Sequence, residues 1–103
     1  MSEPSSLTVV AGTYLAALDE VDAHRAAHVE WLGEQIGAGR VVAAGRTSPP
    51  GGSVVLLRDA APESALELFA GDPYVVAGVA RYEVVATFTP RALAPELAAL
   101  LGG

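Results

Sequence analysis

The strongest constraint on the fold is the order in which strand-like and helix-like segments follow one another along the 103 residues. The strand-like segments are short, apolar and rich in β-branched residues, whereas the helical segments end at glycines. Strands are predicted at residues 7–14, 40–47, 53–58 and 80–89, and helices at residues 19–38 and 62–70, with a short C-terminal helix after Pro90. The chain therefore has the order β-α-β-β-α-β, followed by a terminal helix.

Capping and turn residues set the boundaries between these segments. Asp19 is predicted as the N-cap of the first helix, because a carboxylate there faces unpaired N–H groups and the positive end of the helix dipole. Residues 48–52 (SPPGG) predict a hairpin connection, since proline cannot donate to a ladder and glycine accepts positive φ. Pro62 suits the first position of the second helix, and Asp72 is expected to cap a brief turn that continues to Gly78.

Apolar spacing predicts which face of each element is buried. The predicted buried residues are Ala26, Val29, Leu32 and Ile36 in the first helix, Ala65, Leu66 and Phe69 in the second, and Ala80, Tyr82, Val84, Ala86 and Phe88 in the last strand. His28 lies at the margin of the first of these faces, which predicts that it points into a cleft at the sheet edge.

The element order predicts an α+β fold of the ferredoxin-like type, with an antiparallel sheet and two helices on one face. The first and third strands are central in that topology, and the third strand is apolar on both faces. Twenty alanines and only six aromatic residues make the core thin, so burial against another subunit would add stability. We therefore expect a homodimer that packs sheet to sheet through the face the helices leave open.

Composition excludes several classes of function. The net charge is −6, there is no lysine, and the six arginines are scattered, so nucleic-acid binding is not expected. The absence of cysteine excludes disulfides, thiolate nucleophiles and cysteine-based metal sites. No apolar run is long enough to span a membrane, and the first six residues lack the features of a signal peptide. A soluble, cytoplasmic protein is the expectation.

The two histidines, His24 and His28, are the strongest candidates for chemistry. Their i, i+4 spacing could grip a metal from one helix face, but Arg25 stands where a zinc protease helix carries its glutamate, so no metal is expected. The chain also has no nucleophile elbow, glycine-rich phosphate loop or dinucleotide fingerprint. With these motifs absent, the histidines are left as candidates for general acid-base catalysis without a cofactor.

Several segments resemble the YciI-like (YCII-related) family. These segments are residues 20–32 (EVDAHRAAHVEWL), the glycines and their neighbours in 39–45, residues 51–56 (GGSVVL) and residues 72–79 (DPYVVAGV). The resemblance as a whole extends over residues 7–89. The resemblance implies a dimeric ferredoxin-like fold, or dimeric α/β barrel, in which His28 and Asp72 form an active-site pair. The prediction is therefore one domain over residues 1–103, with a core at 7–89 and a helical extension at 91–101.

The chain departs from the family pattern at Arg46, where proline is common, and in the length of its C-terminal segment. Arg46 could meet an anionic substrate group, although an edge-strand arginine with its charge in solvent is the other interpretation. Tyr14, Tyr74 and Ser53 are further candidates for the substrate pocket. The terminal helix is expected to pack against a sheet or the partner subunit.

Two hypotheses for function follow. In the first, Asp72 fixes the tautomer of His28, and the imidazole acts as the general base of a small cofactor-independent lyase or isomerase. The resemblance implies a small organic substrate of this kind, because some YciI-like proteins act on breakdown products of chlorinated aromatics. In the second, the chain is a non-catalytic dimer that binds a small metabolite or a protein partner, and the His28–Asp72 contact is structural.

Overall fold

The computed structural model describes residues 6–101 and places four strands and five helices there. The elements are β1 (Leu7–Tyr14), α1 (Leu18–Asp22), α2 (Arg25–Gly37), β2 (Val41–Arg46), β3 (Gly52–Arg58), α3 (Pro62–Phe69), α4 (Pro73–Val76), β4 (Ala80–Phe88) and α5 (Pro95–Leu100). The strands form one antiparallel sheet with the order β2-β3-β1-β4. The predicted β-α-β-β-α-β order is observed, and β1 and β3 are central.

The main core lies between one face of the sheet and the helices α2 and α3. Val10 of β1 pairs with Val55 of β3, and both are almost fully buried. The buried cluster consists of Val10, Val41, Val55, Leu57, Ala65 and Phe69, with Trp31 of α2 packed against it. Because the aromatic rings of Trp31 and Phe69 lie 5.4 Å apart, they join α2 to α3 above the sheet.

The first helical segment differs from the prediction of one helix capped by Asp19. Its N-cap is Ala17, and a non-helical residue, His24 at φ −106° and ψ 6°, separates α1 from α2. The two helices serve different clusters. Val21 of α1 packs with Tyr74 and its neighbours, whereas α2 packs over the main core. The break lets each short helix take its own direction.

Of the predicted buried face of α2 only Leu32 turns inward, and one predicted position of α3 is also wrong. Val29 and Ile36 are each 52% exposed, Ala26 is exposed, and Leu66 is 47% exposed. The residues of α2 that turn inward are His28, Trp31, Leu32 and Gln35. This stripe has the expected i, i+3, i+4, i+7 spacing but is rotated toward the polar residues. The Trp31 contact with Phe69 and a hydrogen bond made by His28 fix that rotation.

A bulge in β4 corrects the predicted face of the last strand. Val10 pairs with Val84 but Val9 pairs with Ala86, so the register shifts by one residue between them. Ala80, Tyr82 and Val84 remain on the helix-covered face, while Ala86 shares the opposite face with Val9. Phe88, predicted to be buried, pairs with Leu7 and is 48% exposed. The bulge therefore adds apolar residues to the open face of the sheet.

The C-terminal helix begins at Pro95, four residues later than the predicted extension at 91–101. Within residues 6–101, no helix has the length and apolar character needed to cross a bilayer. Residues 1–5, most of the segment used to argue against a signal peptide, lie outside the described residues.

Gly12 is the position in β1 that tolerates no side chain. A Cβ there would lie 2.5 Å from Tyr82 Cε1 and 2.8 Å from Ser53 Oγ. Gly12→Ala is expected to lower the free energy of unfolding by about 1 to 3 kcal/mol, the usual cost of overpacking. Urea denaturation would measure this, with Gly45→Ala as the strand control, because nothing lies within 4 Å of a Cβ at Gly45. Equal stability of the two variants would contradict the close approach of Tyr82.

Candidate active site

Asp72 is held in place by the start of α4. Its backbone is extended, at φ −67° and ψ 128°, as the following proline requires, and Pro73 occupies the first helical position. The Asp72 side chain accepts a hydrogen bond from the Tyr74 backbone N–H at 3.1 Å. Asp72 is completely buried, so this cap fixes a carboxylate inside the protein.

His28 and Asp72 make direct contact although they come from different elements. Nδ1 of His28 in α2 lies 2.8 Å from Oδ1 of Asp72. A carboxylate only accepts hydrogen bonds, so the imidazole donates through Nδ1–H, and in the neutral ring Nε2 is the acceptor. The pair is sheltered from solvent, since His28 is 7% exposed. The contact of Nδ1 with Asp72 thus fixes the direction in which Nε2 points, an arrangement suited to proton transfer at Nε2.

Aromatic packing fixes the plane of the imidazole. The ring of Tyr74 stacks on His28 with centroids 3.8 Å apart and an interplanar angle of 8°. Tyr14 meets Tyr74 edge to face at 6.0 Å. Burial raises the pKa of Tyr74, so its phenol stays protonated at neutral pH and contributes no negative charge of its own.

A cavity of about 150 Å³ adjoins this pair. Its polar lining consists of Tyr14, Arg25, His28, Arg46, Ser53 and Tyr74, and its apolar lining of Val29, Leu32, Ala44, Gly45 and Val55. All six residues predicted to belong to the site therefore lie together, with Asp72 behind His28. The cavity joins a basic nitrogen to an apolar wall, which suits a small organic molecule.

Arg46 is exposed on the edge strand β2, as one of its two interpretations predicts, and its side chain also contacts Tyr14 and Asp22. Its Nε donates to the Tyr14 hydroxyl at 2.9 Å, and its guanidinium pairs with Asp22 of α1. These contacts raise the pKa of Arg46, the hydrogen bond to Asp22 most of all. Arg46 therefore ties the edge strand β2 to α1, and its charge is already balanced by a carboxylate.

Three further buried polar atoms belong to Asp72, Ser53 and Tyr82. Within residues 6–101, Asp72 Oδ2, Ser53 Oγ and Tyr82 Oη are each buried without a hydrogen-bond partner by distance and angle. Tyr82 is nevertheless close enough to Asp72 for that negative charge to act on it. Burial, and then the charge of Asp72, raise the pKa of Tyr82, so its hydroxyl remains protonated beside the carboxylate.

Arg25, Val29 and Leu32 also line the cavity and were not predicted from the sequence to do so. Together with His28 they have the spacing i, i+3, i+4, i+7, so one stripe of α2 lines the cavity. In the sequence, this spacing relative to His28 is the signal that points to them. His24 does not line the cavity, and the described residues hold no group of three or more histidines and carboxylates arranged for a metal.

Comparisons with known proteins identify the fold and the family of the chain. The chain resembles 5-chloro-2-hydroxyhydroquinone dehydrochlorinase (TftG) from Burkholderia phenoliruptrix, solved in complex with 2,5-dihydroxybenzoquinone. The TM-score is 0.61 at 17% identity, over 88% of this chain and 97% of that one, which shows a shared fold. A search of curated proteins found no match. The model of the YCII-related domain matches residues 6–88, and the chain therefore belongs to the YCII-related family.

Proposed function

We propose that the protein is a small cofactor-independent enzyme of lyase or isomerase type, with His28 as general base and Asp72 as its orienting partner. The observation that carries this proposal is the 2.8 Å contact between His28 Nδ1 and Asp72 Oδ1 beside a cavity. The buried carboxylate holds the Nδ1–H tautomer, which makes Nε2 the proton acceptor. The protein with the similar structure is a dehydrochlorinase that acts on a small aromatic substrate, and this supports a lyase-type reaction for the present chain.

The chemistry needs only a proton acceptor and a shaped pocket. His28 Nε2 takes an acidic proton from the substrate, and the resulting imidazolium is stabilised by the Asp72 carboxylate. In an isomerisation the proton returns at another carbon. In an elimination the electron pair left behind forms a double bond as the leaving group, such as chloride, departs with its electrons. Both outcomes balance without an oxidant or reductant.

The direct test is turnover of chlorinated hydroquinones. Incubation with 5-chloro-2-hydroxyhydroquinone is expected to release chloride, measured with an ion-selective electrode, faster than the buffer control. Exchange of substrate protons in deuterated water, followed by NMR, would detect proton abstraction without elimination. Neither chloride release nor exchange above the rate of a His28→Asn variant, across a panel of small phenols and quinones, would contradict the proposal.

The second candidate is a non-catalytic binding module in which the His28–Asp72 contact is structural. The observation in its favour is that Asp72 also caps α4 and is fully buried, as a purely structural carboxylate would be. This candidate would be distinguished by a ligand that binds in the cavity and is recovered chemically unchanged. Substitutions of His28 would then lower the stability of the protein, and no turnover would be detected in any variant.

We also propose that two copies of the ferredoxin-like chain pair through the apolar outer face, the side of the sheet opposite α2 and α3, to form a dimeric α/β barrel. This face carries Val9, Ala11, Val54, Leu56, Ala86 and Phe88. Val54 and Phe88 are 43% and 48% exposed, and such clustered apolar exposure is typical of an interface. The supporting physical argument is burial of this face, which is worth about 25 cal/mol per Å².

Sedimentation equilibrium at micromolar concentration is expected to give twice the mass of the chain, and Val54→Asp is expected to give a monomer. A buried aspartate at the centre of a sheet-to-sheet contact would be desolvated without a partner. Val76→Asp is the matched control, since Val76 lies on α4 and is 75% exposed. A monomeric native chain, or dissociation by both variants alike, would contradict pairing through the apolar outer face.

A further inference from the structure

Arg25 stands out among the polar residues of the cavity. It is the first residue of α2, one helical turn before His28, and it lines the same cavity. Arg46, the other arginine of the lining, already donates to Asp22 and Tyr14. Within residues 6–101, no carboxylate forms an ion pair with Arg25, so it supplies an uncompensated positive charge to the cavity.

The polar groups that line the cavity define what a ligand must offer. The Arg25 guanidinium has only donors, and the buried Ser53 hydroxyl also lines the cavity. The acceptor is Nε2 of His28. Beside them, Val29 and Leu32 from the same stripe of α2 form an apolar wall. A complementary ligand therefore has an apolar body, a negatively charged group for Arg25, and an acidic proton for His28.

We propose that Arg25 determines substrate specificity by binding the carboxylate of a small organic acid. This inference rests on the proposed function for the role of His28 and adds the class of substrate. The charge of the whole chain makes the residue important. A protein of net charge −6 repels anions, so a local cation is needed to draw one into the cavity.

The test compares two probes that differ in charge but hardly in shape, 4-hydroxybenzoate and 4-hydroxybenzamide. The native protein is expected to bind the benzoate more tightly, and Arg25→Gln to weaken benzoate binding about tenfold, as for loss of one charged hydrogen-bonding partner. Binding of the amide should change less than about twofold. Kd values would come from NMR titration at low salt, and added salt should reduce the benzoate preference.

Arg91→Gln is the matched control, because Arg91 is exposed and does not line the cavity. Equal affinity of the native protein for both probes, no binding of either, or equal losses for both in Arg25→Gln would overturn the assignment of Arg25. The outcome is separable from that of the proposed function. If Arg25→Gln selectively loses benzoate binding and no substrate is turned over, the anion site is supported and the proposed enzymatic function is rejected. If a substrate is turned over but binding shows no preference for the charged probe, the enzymatic function is supported and the role of Arg25 is rejected.

Discussion

His28→Asn is expected to lower kcat by at least about 100-fold, the usual contribution of a positioned general base, while the protein stays folded. Asparagine is suited to separate the two roles of the histidine. Its side-chain amide N–H lies where Nδ1–H lies in histidine, so it can still donate to Asp72, but it has no counterpart of Nε2. The Asp72 carboxylate thus keeps its donor, and only the proton acceptor is removed.

The measurement is the initial rate of chloride release or proton exchange, together with the melting temperature. His24→Asn is the control, because His24 is exposed, precedes α2 and does not line the cavity. That variant should retain activity. If His28→Asn kept full activity, His28 would not be the base; if it lost several kcal/mol of stability instead, the contact with Asp72 would be mainly structural.

Asp72→Ala is expected to have the largest effect on stability, lowering the free energy of unfolding by roughly 2 to 4 kcal/mol. The variant removes the cap of α4, and it leaves the buried Nδ1–H of His28 without an acceptor. This loss is a large part of the stability of a small domain, which is only about 5 to 15 kcal/mol. The melting temperature should fall with it by about 10 to 25 °C. Calorimetry or urea denaturation would measure the change.

Asp72→Asn is the matched variant that keeps the shape and the cap. Its side-chain oxygen still accepts from the Tyr74 N–H, so the loss of stability should be about 1 kcal/mol or less. Activity should fall in both variants, since neither an amide nor a methyl group stabilises the imidazolium as the Asp72 carboxylate does. Similar stability of the Ala and Asn variants would contradict a role of the Asp72 side chain in capping α4.

The sheet could be predicted closely from the sequence because strand signals in this chain agree at several levels. β1 has the predicted bounds, and β2 and β3 differ by a residue at each end or fewer. The bulge in β4 could not be predicted, since Val84, Val85 and Ala86 form an apolar run that offers no alternation to locate it. A one-residue shift there moved Phe88 to the other face.

The buried faces of the helices were harder to predict, because their many alanines and glycines leave little difference in hydrophobicity between one face and another. α2 contains apolar residues on several sides, and its rotation is set by two tertiary contacts, Trp31 with Phe69 and His28 with Asp72. Spacing along the sequence carries no information about either partner. The pairing of His28 with Asp72 was implied by the family resemblance, whereas the charge pairing of Arg46 depends on the tertiary contact of β2 with Asp22 of α1.

The contact between His28 and Asp72 joins residues 44 positions apart in the chain, so the cavity exists only in the folded molecule. A compound that binds in the cavity should therefore stabilise the folded protein. At 100 times its Kd, it should raise the free energy of unfolding by about 2.7 kcal/mol. A thermal-shift screen of a metabolite library needs no assumption about the reaction. Hits gathered this way would narrow the search for the natural substrate before any assay for turnover is devised.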